Sequence, residues 1–128
     1  MADTEKITIN ISVVDLGRID LLVEQGFYST RTDFIRTATR NLLGTYSQEI
    51  QETVSRRTIV VGVLMFEAKD LRKYRQRNEM VDIKALGLLV FSNDVTPQLA
   101  RETIASINVY GVFRASKEVK EALADRMK

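Results

Sequence analysis

Hydrophobic and polar residues alternate strictly near the start of the chain. Residues 6–12 read Lys-Ile-Thr-Ile-Asn-Ile-Ser. On a strand this puts Ile7, Ile9 and Ile11 on one face and Lys6, Thr8, Asn10 and Ser12 on the other. The period then changes. Leu16, Ile19, Leu22 and Val23 recur at helical spacing, and Gly26 supplies a helix stop. Thr30-Arg31-Thr32-Asp33 is a capping-box variant, with Asp where Glu or Gln is usual. It opens a second helix with Phe34, Ile35, Ala38 and Leu42 on its inner stripe. The pattern allows that helix to run on through Ile50 and Val54.

After Arg57 the texture becomes β-rich. Residues 58–66 and 83–91 read as strands, joined by a charged connection over 67–77. A helical pattern covers 96–107, a short apolar piece covers 109–113, and 117–126 is a final amphipathic helix. The three apolar pieces resemble one another: Val61-Gly62-Val63-Leu64-Met65-Phe66, Leu86-Gly87-Leu88-Leu89-Val90-Phe91 and Tyr110-Gly111-Val112-Phe113-Arg114-Ala115. Their glycines, Gly62, Gly87 and Gly111, stand 25 and then 24 residues apart. Such a period suggests a strand-plus-connection unit repeated by stacking, in the manner of a solenoid. An ordinary α/β domain whose strands carry glycine is the competing reading. A three-unit stack has a thin core and open ends, so residues 58–128 are expected to self-associate.

The expected organisation is therefore α+β. Residues 1–50 form one domain, 51–57 a helical linker, and 58–128 a small α/β repeat domain that mediates oligomerisation.

Composition narrows the chemistry. The 128 residues include no Cys, no His, no Trp and a single Pro. Without Cys there is no disulfide, no thiolate nucleophile and no sulfur-ligated metal. Without His there is no imidazole base, and the common zinc, copper and nickel ligand sets fail. Asp70, Asp82 and Asp94 sit at no spacing that demands catalysis, and no phosphate-binding Gly loop is present. Neither an enzyme, nor a cofactor, nor a metal is expected. No apolar run approaches the roughly 20 residues of a membrane helix. The first residues do not read as a signal peptide, so a cytoplasmic location without a membrane partner is expected.

Residues 6–43 as a unit resemble the ribbon-helix-helix DNA-binding domain of the Arc, MetJ and CopG superfamily. The resemblance rests on order and spacing: an alternating strand, an amphipathic helix, a Gly-containing turn, then Tyr28-Ser29-Thr30-Arg31-Thr32-Asp33-Phe34-Ile35-Arg36. That run is similar to the family's start of its second helix. The resemblance implies a dimer in which the strands of two subunits pair antiparallel, with the isoleucines packed on the helices. Lys6, Thr8 and Asn10 would then face the major groove of double-stranded DNA. The resemblance also implies that the second helix's start clamps the backbone.

The chemistry of the residues agrees. A lone seven-residue strand needs a partner, and a two-stranded ribbon fits the major groove. Asn10 can bond an adenine edge with both ends of its amide, Lys6 can donate to guanine, and Thr8 can meet a base edge or a thymine methyl. Ser29, Thr30 and Arg31 lie at a helix start, whose free N–H groups suit a phosphate. Competing readings are a solvated hairpin face for Thr8 and Asn10, simple capping for Thr30, and an ion pair with Asp33 or Glu24 for Arg31. Tyr28 reads as packing rather than base stacking.

Charge complicates this picture. The chain carries 19 Lys+Arg and 17 Asp+Glu. Residues 1–50 hold 5 of the cations and 7 of the anions, a net −2; residues 51–128 hold the other 14 and 10, a net +4. Non-specific affinity comes mainly from phosphate neutralisation, so one dimer should bind weakly. Cooperative binding of several dimers through the C-terminal part, or contacts from Arg72, Lys73, Arg75 and Arg77 to flanking DNA, would compensate. The expected function is a sequence-specific transcriptional regulator, reading DNA as a homodimer and assembling further through residues 58–128. A filament-forming or partition protein that organises DNA is the alternative. The metal-sensing branch of the superfamily uses His and Cys ligands and is excluded by residue type.

Overall fold

A computed structural model of the chain describes residues 4–128. These divide into two units, Thr4–Thr53 and Val54–Lys128, and each is treated by itself.

In the first unit, residues 4–11 form no helix and pair with no strand. Ser12 then caps α1 (Val13–Glu24) by accepting a hydrogen bond from the Asp15 N–H at 3.1 Å. The helix ends at Gly26, which takes a φ of +86°. The N–H groups of Gly26 and Phe27 bond back to the carbonyls of Val23 and Leu22, closing the C-terminal turn. Tyr28 packs edge-to-face on Phe34 with ring centroids 5.0 Å apart. This is the packing role expected for Tyr28.

Thr30 caps α2 (Arg31–Thr45). The expected continuous helix through Val54 is instead broken at Tyr46, whose N–H bonds Leu43 three residues back. That tightened turn follows Gly44 and β-branched Thr45, both weak helix formers. A separate α3 (Ser47–Arg56) follows.

One number decides how this unit must exist. Among its described residues only Ile19 is buried. Ile7 is 78% exposed and Ile9 61%, and Val13, Leu21, Phe27, Leu42 and Leu43 are also exposed. A chain segment with one buried side chain cannot offset its conformational entropy by burial. The apolar stripes of the unit are left largely exposed.

The second unit is built on a three-stranded parallel sheet of order β1-β2-β3: β1 (Val60–Phe66), β2 (Val81–Phe91) and β3 (Ile104–Arg114). α4 (Ala68–Gln76) and α5 (Pro97–Thr103) make the two crossovers, and α6 (Lys117–Ala122) follows β3. Three helix starts carry side-chain caps. Glu67 N–H bonds Asp70 at 2.8 Å in a capping box, and the hydroxyls of Thr96 and Ser116 accept from Leu99 and Val119. Leu71, Leu99, Val119 and Leu123 from the helical layer bury against Ile83, Leu89, Phe91 and Ile107 of the sheet. Phe66, Phe91 and Phe113 form an edge-to-face series, with centroids 5.7 and 5.2 Å apart.

The helical pattern expected over 96–107 is shorter than that. α5 stops at Thr103, and β3 begins at Ile104. The misleading signal was Ile104 and Ile107, three apart and both buried. Val81 pairs with Ile104 while Asp82 pairs with Ser106, so Ala105 is an extra residue in β3. This bulge turns two residues of odd separation to the same face.

The similar segments pair in register, 61–66 with 86–91 and 86–90 with 110–114. Gly62 lies opposite Gly87, and Gly87 opposite Gly111. All three adopt positive φ, at 127°, 133° and 126°. The structure is thus mixed α/β, with six α-helices and one parallel sheet among the described residues.

Among the described residues two that are not glycine adopt positive φ, Thr58 and Asn78, and the β-branched one is the more strained. Thr58 sits just past α3 with φ 55°, a left-handed conformation that β-branched residues avoid. The N–H groups of Thr58 and Ile59 bond Ser55 and Val54, so the turn itself demands that shape. Thr58→Gly is expected to raise stability by about 1 kcal/mol, read by chemical denaturation.

Candidate nucleic-acid interface

Lys6, Thr8 and Asn10 are all exposed, as are Ile7, Ile9 and Ile11. Ile7 and Ile9 line an open groove with Ile35, Thr32, Thr39, Lys6, Arg36 and Arg40. Ile11 meets Ile19, Leu22 and Phe34 in a second small hollow. The isoleucines therefore approach apolar side chains of both helices. Lys6 lines the same groove as Ile7 and Ile9, while Thr8 and Asn10 do not line it.

The start of α2 is densely hydrogen-bonded. The Asp33 N–H donates to Thr30 Oγ1 at 3.0 Å. The Asp33 carboxylate accepts in return from the Ser29 N–H at 3.0 Å and the Ser29 hydroxyl at 3.2 Å. Asp33 thus reaches one residue further back than a capping box does. The backbone and hydroxyl of Ser29 already face a carboxylate, so an arriving phosphate oxygen would compete with Asp33 there.

Arg31 is also engaged, though not with the partners weighed from sequence. Its Nε and Nη2 donate to the two carboxylate oxygens of Asp20 at 2.7 and 2.8 Å. This bidentate pair ties α1 to α2. The hydrogen bond from Arg31 holds the Asp20 carboxyl below its ordinary range, and Asp20 in turn raises Arg31. Both groups are exposed, so the pair orients more than it stabilises. The sequence offered no pointer to Asp20, which lies eleven residues away on another helix.

The basic cluster of the C-terminal unit lies on and just past α4. There Arg75 meets Glu102 at 3.5 Å, and Arg77 meets Glu79 at 3.7 Å while lying over the Tyr74 ring. These pairings suit a solvated connection. Among the described residues no group of three His, Cys, Asp or Glu could hold a metal ion. No helix among them is long and apolar enough to cross a membrane.

Residues 2–120 match the model of the Ribbon-Helix-Helix transcriptional regulator family. No curated protein and no solved structure matches the chain.

Proposed function

Since the chain belongs to the ribbon-helix-helix transcriptional regulator family, we propose that it is a sequence-specific DNA-binding regulator that reads the major groove with a dimeric β-ribbon. The family binds DNA and usually dimerises. The observation that carries the reading is the N-terminal unit itself: one buried residue, and isoleucines exposed between polar side chains. A second copy would complete the core and pair the two strands. Lys6, Thr8 and Asn10 would then stand side by side from both subunits, on a ribbon of major-groove width.

Base contacts fall to Lys6, Thr8 and Asn10, and backbone contacts to Ser29, Thr30 and Arg31. Arg31 reaches a phosphate without leaving Asp20 only if a guanidinium N–H stays free for it; otherwise it must exchange one anion for the other. This gives a test. Asp20→Asn removes the competing charge and is expected to tighten non-specific DNA binding several-fold and steepen the salt slope by about one unit. Arg31→Ala is expected to do the reverse across all sequences. Fluorescence anisotropy over a salt series measures both. An Arg31→Ala effect that varied strongly with base sequence would remove the phosphate role.

The C-terminal unit assembles ribbon dimers into a larger complex. The acidic balance of residues 1–50 supports this, because a net −2 reader gains affinity by engaging several half-sites at once. The in-register glycines support a short solenoid-like stack as the assembling element. Selection of bound duplexes from a random pool, followed by footprinting, tests the whole reading: repeated half-sites are expected. Binding without sequence preference would favour a DNA-organising role instead.

A further inference from the structure

We propose that the C-terminal units of successive copies join head to tail, with residues 109–113 on the outer edge of β3 in one copy pairing parallel with the outer edge of β1 in the next. This deepens the assembly half of the proposed function and rests on it.

The glycines set the direction and the partner. A Cβ on Gly87 would lie 2.3 Å from the carbonyl oxygen of Gly62, and one on Gly111 would lie 2.1 Å from that of Gly87. Each of these two glycines is bare because the carbonyl of the glycine one strand earlier fills its side-chain space. Gly62 holds the same positive φ, yet nothing in the chain lies within 4 Å of its Cβ position. That space fits the carbonyl of a parallel neighbour carrying a glycine in the same register. β3 carries one, and the Gly111 carbonyl is the next in the series.

The two edges also open over the same register. β1 reads Val-Val-Gly-Val-Leu-Met-Phe, without a charge, a proline or a polar side chain. Among the described residues it pairs with β2 alone. Soluble proteins normally blunt such an edge, but Val61, Val63 and Met65 are 62%, 57% and 59% exposed. At the far side of the sheet the chain's last residues cover only the beginning of β3. Met127 bridges Ile107, the Lys128 N–H donates to Ile107 O at 2.8 Å, and Arg126 donates to Ile104 O at 2.7 Å. Past that cover, residues 109–113 pair with β2 alone among the described residues. Val109 pairs with Ala85, and Ala85 with Val60, the first residue of β1. The open stretch of β3 therefore starts at the register position where β1 starts, and a second β1 fits beside it without displacing the tail.

This register sets Val60 on Val109, Val61 on Tyr110, Gly62 on Gly111, Val63 on Val112 and Leu64 on Phe113, aliphatic or aromatic at every position besides the glycines. It also sets α6 of one copy beside α4 of the next. That continues a layer in which Arg75 of α4 meets Glu102 of α5, and Arg101 of α5 donates to the Ala122 carbonyl of α6. The two edges differ, so the contact is heterologous and each added copy offers a fresh edge. The stack lengthens with concentration.

The chain has no cysteine, which makes the contact directly testable in the full-length protein. Opposed residues on neighbouring strands lie about 4.8 Å apart, within disulfide reach. Val63→Cys and Val112→Cys are expected to link to each other when the two proteins are mixed and oxidised, and neither is expected to link to itself. Light scattering is expected to show the wild-type mass rising with concentration. Gly62→Ala, whose Cβ meets nothing within one chain but would meet the arriving Gly111 carbonyl, is expected to keep the wild-type circular dichroism and stay at two chains. Val112→Lys is expected to stay at two chains as well. Mixed together, these two variants each supply the edge the other lacks, so the mass rises above two chains again. A wild type that stays at two chains overturns the assembly half of the proposed function together with this contact. If the wild type assembles, the contact alone is overturned by Gly62→Ala assembling equally, by no recovery on mixing, by no mixed disulfide, or by Val63→Cys linking to itself. None of these results touches the ribbon, whose DNA reading is judged separately by the Asn10 variant.

Discussion

Gly87→Ala is expected to destabilise the C-terminal unit by about 3–5 kcal/mol, enough to unfold most small domains at ordinary temperature. Two costs combine. The residue holds φ 133°, which an L side chain adopts only under strain, and its new Cβ would stand 2.3 Å from the Gly62 carbonyl oxygen. That neighbour is backbone within a paired strand, so relief requires parting β1 from β2. Gly111→Ala is expected to behave alike, with its Cβ 2.1 Å from the Gly87 oxygen. Gly62→Ala supplies the control. It shares the positive φ, but nothing lies within 4 Å of its Cβ, so only the conformational cost of about 1–2 kcal/mol is expected. Equal losses at Gly62 and Gly87 by urea denaturation would show that backbone conformation alone, and not strand approach, sets the glycine requirement.

The glycine ladder was legible in the sequence because a repeat writes its register into its spacing. Segments that look alike at offsets of 25 and 24 residues are the segments that pair. The boundary between α5 and β3 was not legible. A bulge at Ala105 gives a strand the period of a helix, and nothing local in Ile104-Ala105-Ser106-Ile107 announces the extra residue. The N-terminal site shows a different limit. Its alternation is plain, but the strand it predicts is not formed within one chain: residues 4–11 pair with no strand and are exposed. At the start of α2, capping by Thr30 followed from local spacing. The partner of Arg31 did not, because the packing of two helices brings Asp20 to it, and Asp33 is already occupied by Ser29. Local chemistry was readable wherever partners were near in sequence.

Asn10→Ala is expected to separate reading from folding. Asn10 is exposed and lies outside α1 and α2, so helix content, melting temperature and particle mass should match the wild type. An amide that donates and accepts to one adenine edge contributes roughly 1–3 kcal/mol of discrimination per contact. A two-fold ribbon presents Asn10 twice, so the preference for a selected site over a scrambled one should fall by at least tenfold. Binding to scrambled duplex should stay within about twofold, and the salt slope should not change, because the substitution removes no charge. Competition of selected and scrambled duplexes at two salt concentrations separates these outcomes. Arg31→Ala makes the opposite trade, losing affinity on both duplexes while keeping their ratio. If Asn10→Ala preserves the ratio instead, the polar face of residues 6–10 is a solvated surface, and the reader must be sought among the cations of the Ile7–Arg40 groove, Arg36 first.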